Sequence, residues 1–330
     1  MARYAAIAGW GKYLPQRVLT NADLERMVDT SDEWIRTRTG ILERRIAGDG
    51  ESSATMAVQA ARQALERADL SPFALDLIIV ATATPDYLFP ATACLVQDAL
   101  GAIHAGAFDM EAACSGFLYA VVVGTQFIRA GTCENVLVVA SETLSRITNW
   151  KDRNTCVLFG DGAGAVVLRA TRRERGLLAS TLGAYGAGAD LLILPAGGSA
   201  HPPSLDTVNG NQHYIQMKGN EVFRFAVRMM GQASQEVLEK AGLTIDDVAL
   251  FIPHQANLRI IQAVGERLGL PEERVYVNLP RYGNMSAATI PIALCEAAEE
   301  GRLKDGDIVL AAAFGAGLTW AAAAFSWGGP

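Results

Sequence analysis

The sequence is poor in charge and in aromatic rings. Of its 330 residues, 19% are charged and 7% aromatic, against 50% in the hydrophobic set. A chain so apolar is not disordered, because it can bury enough surface to offset the entropy of folding. Its 32 glycines and 12 prolines are too few for a collagen. Positive charge is also short: the formal net charge is −7. No global field exists to hold nucleic acid or an anionic membrane, so an acidic partner has to meet a local basic patch.

Paired cysteines are missing too. Cys94, Cys114, Cys133, Cys156 and Cys295 form an odd, scattered set with no C-x-x-C spacing. That pattern fits reduced thiols rather than a disulfide framework or a zinc site, and it points to a cytoplasmic protein. All but Cys114 are expected to be small core residues. Met1–Lys12 lacks the apolar run of a secretory signal. Ile308–Pro330 carries no charge and has the length of a membrane span. Gly315 and Gly317 interrupt it, so two buried strands joined by a turn are predicted there.

What the sequence does contain is a repeat. Leu65-Glu66-Arg67-Ala68 followed by Leu77-Ile78-Ile79-Val80 is echoed by Leu238-Glu239-Lys240-Ala241 and Leu250-Phe251-Ile252-Pro253, at an offset of 173. Val136–Ala140 matches Ile308–Ala312 at 172, and Phe159-Gly160-Asp161-Gly162 matches Phe314-Gly315-Ala316-Gly317 at 155. The fall in offset predicts an insert of about 17 residues between Ser141 and Leu158, polar and basic, in a surface loop. Apolar runs of strand length alternate with helical segments, which indicates strands buried on both faces. Two α/β halves are predicted, 1–172 and 173–330.

In such folds ligands gather where strands end and helices begin. Cys114 follows the strand-like Ala107–Met110 and opens a helix over Gly116–Ile128, where the dipole favours a thiolate. His254 follows Leu250–Ile252, before a helix over Ala256–Leu268. Asn284 precedes a helix over Ala287–Glu299. At an offset of 170 the repeat maps Cys114 onto Asn284, so both would face one pocket. A core thiol, a structural histidine and a simple cap account for the same residues equally well. Papain-like hydrolases use these residue types as well, but Ala-Ala-Cys-Ser-Gly-Phe is not their signature. The glycines of Gly160–Gly164 and Gly315–Gly317 do not spell a dinucleotide fingerprint, and they read as tight turns between strands.

Gly11–Pro15, Thr30–Ile35 and Arg38–Ile41 resemble the opening of the β-ketoacyl-acyl-carrier-protein synthase III family. Ala112–Phe117, Pro253–Asn257 and Tyr282–Asn284 resemble its three active-site segments, in order. The resemblance implies a thiolase-like five-layer αβαβα fold and a homodimer. It implies the initiating condensation of fatty acid synthesis, in which acyl-CoA acylates Cys114 and malonyl-acyl carrier protein then condenses with loss of CO₂. His254 and Asn284 would stabilise the decarboxylating thioester, and the backbone N–H groups of Cys114 and Ala316 would form the oxyanion hole. No metal or redox cofactor is implied. Met285 and Ala316 depart from the usual Thr and Gly. Related Cys-His-Asn enzymes of secondary metabolism and hydroxymethylglutaryl-CoA synthase are the alternatives, with a cysteine hydrolase or a non-catalytic acyl-binding scaffold behind them.

The same resemblance assigns CoA to Trp34, Arg38 and Arg153, with Asn220 and Asn257 on the pantetheine arm. Phe89 would close the acyl pocket of a partner subunit. Arg36, Arg44 and Arg45 are expected on a solvated face. Acyl carrier protein is acidic, and Arg224, Arg228, Gln255 and Arg259 are the expected docking patch.

Overall fold

The computed structural model describes residues 3–330. Nine strands carry the fold: β1 (Tyr4–Tyr13), β2 (Leu77–Ala81), β3 (Gly106–Met110), β4 (Asn135–Thr143), β5 (Asp161–Thr171), β6 (Gly176–Ala184), β7 (Val248–Pro253), β8 (Ile308–Gly315) and β9 (Thr319–Ser326). Their order is β7-β8-β9-β6-β1-β5-β4-β2-β3. Outward from its centre, that order repeats itself. In β1-β5-β4-β2-β3 the first two pairings are antiparallel and the last two parallel. In β6-β9-β8-β7 the senses are antiparallel, antiparallel, parallel, and a parallel bridge from Phe251 to Val275 stands where β3 would.

β1 and β6 meet through a single pair, Ala5 with Gly176. Gly176 has φ +72, and a Cβ there would stand 1.7 Å from the Ala5 carbonyl oxygen. Only glycine allows that approach.

Six helices complete the layers: α1 (Asp32–Thr39), α2 (Ser53–Arg67), α3 (Gly116–Arg129), α4 (Gly219–Ala241), α5 (Leu258–Leu268) and α6 (Thr289–Glu299). Strand alternation sorts the apolar side chains between them. Leu77, Ile79 and Ala81 point to a central core with α3 and α6, while Ile78 and Val80 pack under α2. In the second half Val309, Ala311 and Ala313 join the central core, and Leu310, Ala312 and Phe314 pack under α4 and α5. α4 buries Val222, Ala226, Met230, Ala233 and Val237, one stripe at helical spacing. The result is five layers, αβαβα, with α3 and α6 between two sheet faces and α6 buried along nearly its whole length. Each fully buried Val, Leu or Ile contributes about 1.5–3 kcal/mol by leaving water.

Ile308–Gly315 and Thr319–Ser326 are the two expected strands, and no helix among the described residues is long and apolar enough to cross a membrane. Several expectations are corrected. Gly162 and Gly164 lie inside β5 rather than in a turn, where a Cβ would stand 2.8 Å from Met285 Sδ and from Pro291 of α6. The glycines serve close helix–sheet packing. The segment 141–158 is not a surface loop throughout: Glu142, Leu144, Ser145, Thr148, Cys156 and Val157 are buried. Cys94 is exposed, on the outer side of a short helix, while Cys133, Cys156 and Cys295 are buried as expected. Arg44 is not solvated. It is wholly buried, donating to the Leu19 and Val157 carbonyls and to Asn21 Oδ1, and burial pulls its guanidinium down to about 10.

Candidate active site

The two central helices begin in the same unusual way. Ahead of α3, Ala113 takes φ +45 and a 3₁₀ turn over Ala113–Ser115 leads into Gly116. Ahead of α6, Ser286 takes φ +47 and a turn over Ser286–Ala288 leads into Thr289. Left-handed backbone costs a non-glycine residue of order 1–3 kcal/mol, and it persists where the surroundings over-determine it. Glu111 Oε1 accepts the Ala113 N–H at 2.9 Å, and Asn284 Oδ1 accepts the Ser286 N–H at 2.8 Å. The turns are therefore related at an offset of 173. Cys114 corresponds to Ala287, and Asn284 to Glu111. The offset of 170 that pairs Cys114 with Asn284 is off by three residues, although both do face one cavity.

That cavity, about 470 Å³, is lined by Cys114, His254 and Asn284 at its floor and by Trp34, Arg38, Asn220, Asn257 and Arg259 higher up. Cys114 lies in the turn before α3, not in the helix itself, and is buried. Burial pushes its thiol up to about 12, so the resting group is a neutral thiol and not the expected helix-terminal thiolate. Its backbone N–H faces Gly315, where a Cβ would stand 2.6 Å away. Ala316 opens the following turn, Ala316–Leu318.

His254 is buried at the end of β7, its N–H bonded to the Ala312 carbonyl at 2.8 Å. Burial takes its imidazole down to about 3, so it is neutral at any physiological pH. Nδ1 lies 2.6 Å from Thr289 Oγ1, itself 3.1 Å from the Ser286 carbonyl. Thr289 has one proton and two acceptors in reach; given to Nδ1, the nearer, rather than to the Ser286 carbonyl, it leaves Nε2 carrying the imidazole proton as a donor. Asn284 is tied by its backbone to Leu158 and Gly160. Since Oδ1 takes the Ser286 N–H, the amide nitrogen is left to donate into the cavity.

At the mouth, two guanidinium groups lie near the Trp34 ring, Arg153 at 4.9 Å and Arg38 at 5.7 Å. Asn257 caps α5 through Oδ1 and donates to the Arg38 carbonyl at 3.0 Å. Arg224 and Arg228 are exposed one turn apart on α4, and Arg259 lies over Phe223 at 5.5 Å. Gln255 is not on this surface. It is wholly buried, donating to the Pro253 and Tyr276 carbonyls and accepting from the N–H groups of Asn278 and Leu279. It holds the His254 segment against 276–279. Phe89 is 87% exposed and lies outside the cavity of its own chain.

Sequence reasoning missed Glu142, Ser286 and Thr289. A carboxylate two residues after the apolar run Val136–Ala140 was the available signal for Glu142. Nothing comparable marked the two hydroxyls.

One nine-stranded sheet whose two halves enclose a shared helical layer, with a lone thiol at the strained turn into that layer, defines a thiolase-like condensing enzyme. The profile of 3-oxoacyl-[acyl-carrier-protein] synthase III matches residues 108–186, and that of its C-terminal region matches residues 238–327. The chain belongs to the β-ketoacyl-[acyl-carrier-protein] synthase III family. The synthase III of Caldanaerobacter subterraneus subsp. tengcongensis is 56% identical over 323 residues, 98% of each chain. That of Roseiflexus sp. is 55% identical over 327 residues, 99% of each. The crystal structure of 3-oxoacyl-[acyl-carrier-protein] synthase III from Aquifex aeolicus has a TM-score of 0.91 at 52% identity, covering 98% of this chain and 100% of that one. The priming β-ketosynthase of the R1128 polyketide pathway has a TM-score of 0.92 at 37% identity, covering 100% and 98%.

Proposed function

We propose that this chain carries out the initiating condensation of type II fatty acid synthesis, with Cys114, His254 and Asn284 dividing the work. The observation that carries the reading is their convergence on one cavity that opens past Trp34 and two arginines. Acyl-CoA enters with its adenine against Trp34 and its phosphates near Arg38 and Arg153. Its pantetheine arm passes Asn220 and Asn257. The Cys114 sulfur attacks the thioester, and CoA leaves.

Malonyl-acyl carrier protein then occupies the same cavity, its acidic carrier held by Arg224, Arg228 and Arg259. The thioester oxygen receives two hydrogen bonds, from His254 Nε2 and from the Asn284 amide nitrogen. Those donors stabilise the enolate that forms as CO₂ departs. The enolate carbon attacks the acyl-Cys114 carbonyl, whose oxygen is met by the N–H groups of Cys114 and Ala316. The reaction as written balances without a metal or redox group. Neutral His254 suits this role, because a donor that never ionises does not compete with its substrate for protons.

A homodimer fits the same reading. Tyr87, Leu88 and Phe89 expose 59%, 84% and 87% of their surfaces, and a second copy would cover that apolar loop. Phe89 would then reach the partner's acyl pocket. Reduced thiols suit the cytoplasm. The fold shared with a polyketide priming synthase keeps specialised priming as the second reading.

The deciding experiment incubates the protein with radiolabelled acyl-CoA esters of several lengths and weighs the tryptic peptide containing Cys114. Acylation of that peptide is expected, followed by transfer to malonyl-carrier. Label on another residue, or none, would overturn the assignment.

A further inference from the structure

Beside the nucleophile sits a carboxylate that the condensation as written does not use. Glu142, at the end of β4, has no exposed surface. Its oxygens accept from Thr84 Oγ1 at 2.7 Å and from the Ala83 N–H at 3.1 and 3.2 Å, with Thr82 Oγ1 at 3.4 Å. The turn Ser286–Ala288 packs against its strand, the Ser286 hydroxyl and the Ala287 N–H favouring its charged form. No lysine, arginine or histidine among the described residues pairs with it. The same turn packs against Ala113–Ser115, where the Ser286 hydroxyl favours the charged form of the Cys114 thiol.

A hydroxyl has one proton to give, and an ionised carboxylate can only accept. A Ser286 hydroxyl that bridges the two therefore donates to Glu142 and receives from Cys114. Burial raises Glu142 to about 7, so at neutral pH it exists in both forms. A buried ionisable group poised near the working pH, one hydroxyl from a thiol that must lose and regain a proton, is placed for acid–base work.

Building on the condensation assigned above, we propose that Glu142 is the proton store for Cys114, exchanging the thiol proton through the Ser286 hydroxyl. During acyl transfer the Sγ–H bond breaks, its proton passes to Ser286, and the Ser286 proton passes to Glu142. The sulfur forms its bond to the acyl carbon, the bond from that carbon to the CoA sulfur breaks, and the CoA thiolate takes a proton from water at the cavity mouth. During condensation the enolate carbon bonds to the acyl carbon and the electron pair returns to Sγ. Glu142 then gives back its proton along the same path. One proton is consumed per turnover, at CoA.

The titratable groups that bear on this exchange are Cys114 itself and Glu111, on the turn before α3. Those facing Glu142 from 82–84 and from 286–287 are uncharged hydroxyls and amides. Acylation needs ionised Glu142, so its rate rises with pH through about 7 and then levels.

The test is single-turnover acylation of Cys114 by acetyl-CoA from pH 5.5 to 9 in the wild type, Glu142→Gln and Ser286→Ala, beside malonyl decarboxylation by each. Expected for both variants is acylation slowed about 100-fold at neutral pH with the inflection near 7 gone, and decarboxylation kept within about threefold. A wild-type pH profile in Glu142→Gln overturns the proposal, as does equal loss of both half-reactions in both variants. Should Glu142→Gln not fold, Ser286→Ala alone decides, by the same two criteria. Failure of the wild type itself to acylate Cys114 would instead overturn the condensation reading.

Discussion

The turns at Cys114 and at Ala287 share a backbone but face different residues. Opposite Ala287, at the end of β4, stands Glu142, whose carboxylate is drawn toward its charged form by the Ala287 N–H. Opposite Cys114, at the equivalent end of β8, stands Gly315, with no side chain to offer. One repeat has filled its backbone N–H with a carboxylate of its own. The other has no side chain opposite its N–H. The difference teaches how a duplicated fold becomes a single site: the strained turn is kept twice, and deletion of one side chain opens one copy for catalysis.

The largest effect should come from erasing that difference. Gly315→Ala puts a Cβ against the Cys114 N–H, and kcat for condensation should fall about 100- to 1,000-fold, the usual cost of one oxyanion donor. A kcat within about threefold of wild type in steady-state assays would mean that this N–H takes no part.

A cleaner comparison sets Asn284→Ala beside Glu111→Ala. Both remove a side-chain acceptor from the second N–H downstream, but only Asn284 also presents a donor to the cavity. Malonyl decarboxylation should drop about 100-fold in Asn284→Ala. Glu111→Ala should cost about 1 kcal/mol in denaturant unfolding and leave decarboxylation nearly intact. Equal losses in the two variants would reduce Asn284 to a cap.

Thr289 corresponds to Gly116, which has no hydroxyl, so only the second turn can orient an imidazole. Thr289→Val should slow decarboxylation about tenfold by freeing the His254 tautomer, with acylation unchanged. In the wild type the decarboxylation rate should be flat from about pH 5 to 8. His254, held near 3, stays neutral across that whole window. A bell centred near 6.5 would show a titrating imidazole instead.

The smallest effect lies at the rim, at the arginines of α4 and α5. The Arg224→Glu/Arg259→Glu double variant should raise KM for malonyl-carrier several-fold and weaken its salt dependence, leaving acylation by acyl-CoA unaltered. Carrier kinetics that do not change at low salt would move docking elsewhere.

Elements whose signal is local were legible in the sequence. The runs Leu77–Val80 and Ile308–Ala312 announced buried strands, and the strand–turn–helix junctions announced where Cys114, His254 and Asn284 would meet. Properties set by tertiary surroundings were not. Cys114 looks like a helix-terminal thiolate until the closed cavity around it is seen, and desolvation then outweighs the dipole. Arg44 and Gln255 read as surface residues because their partners are backbone groups distant in sequence, such as Val157 and Tyr276. The slip of three residues in matching Cys114 to Asn284 came from aligning residue types. Only the positive φ at Ala113 and Ser286 reveals the true register.

The single pairing of Ala5 with Gly176, over helices that belong to opposite halves, bears on how the protein folds. α3 and α6 both bury a face in the central core, so neither half can fold alone without exposing it. Contacts across that core join residues far apart in the chain, which makes their formation slow and late. Cys114 arrives with the first half, His254 and Asn284 with the second. Activity therefore appears only at the last cooperative step, and a ribosome-bound first half carries its thiol without any means of using it.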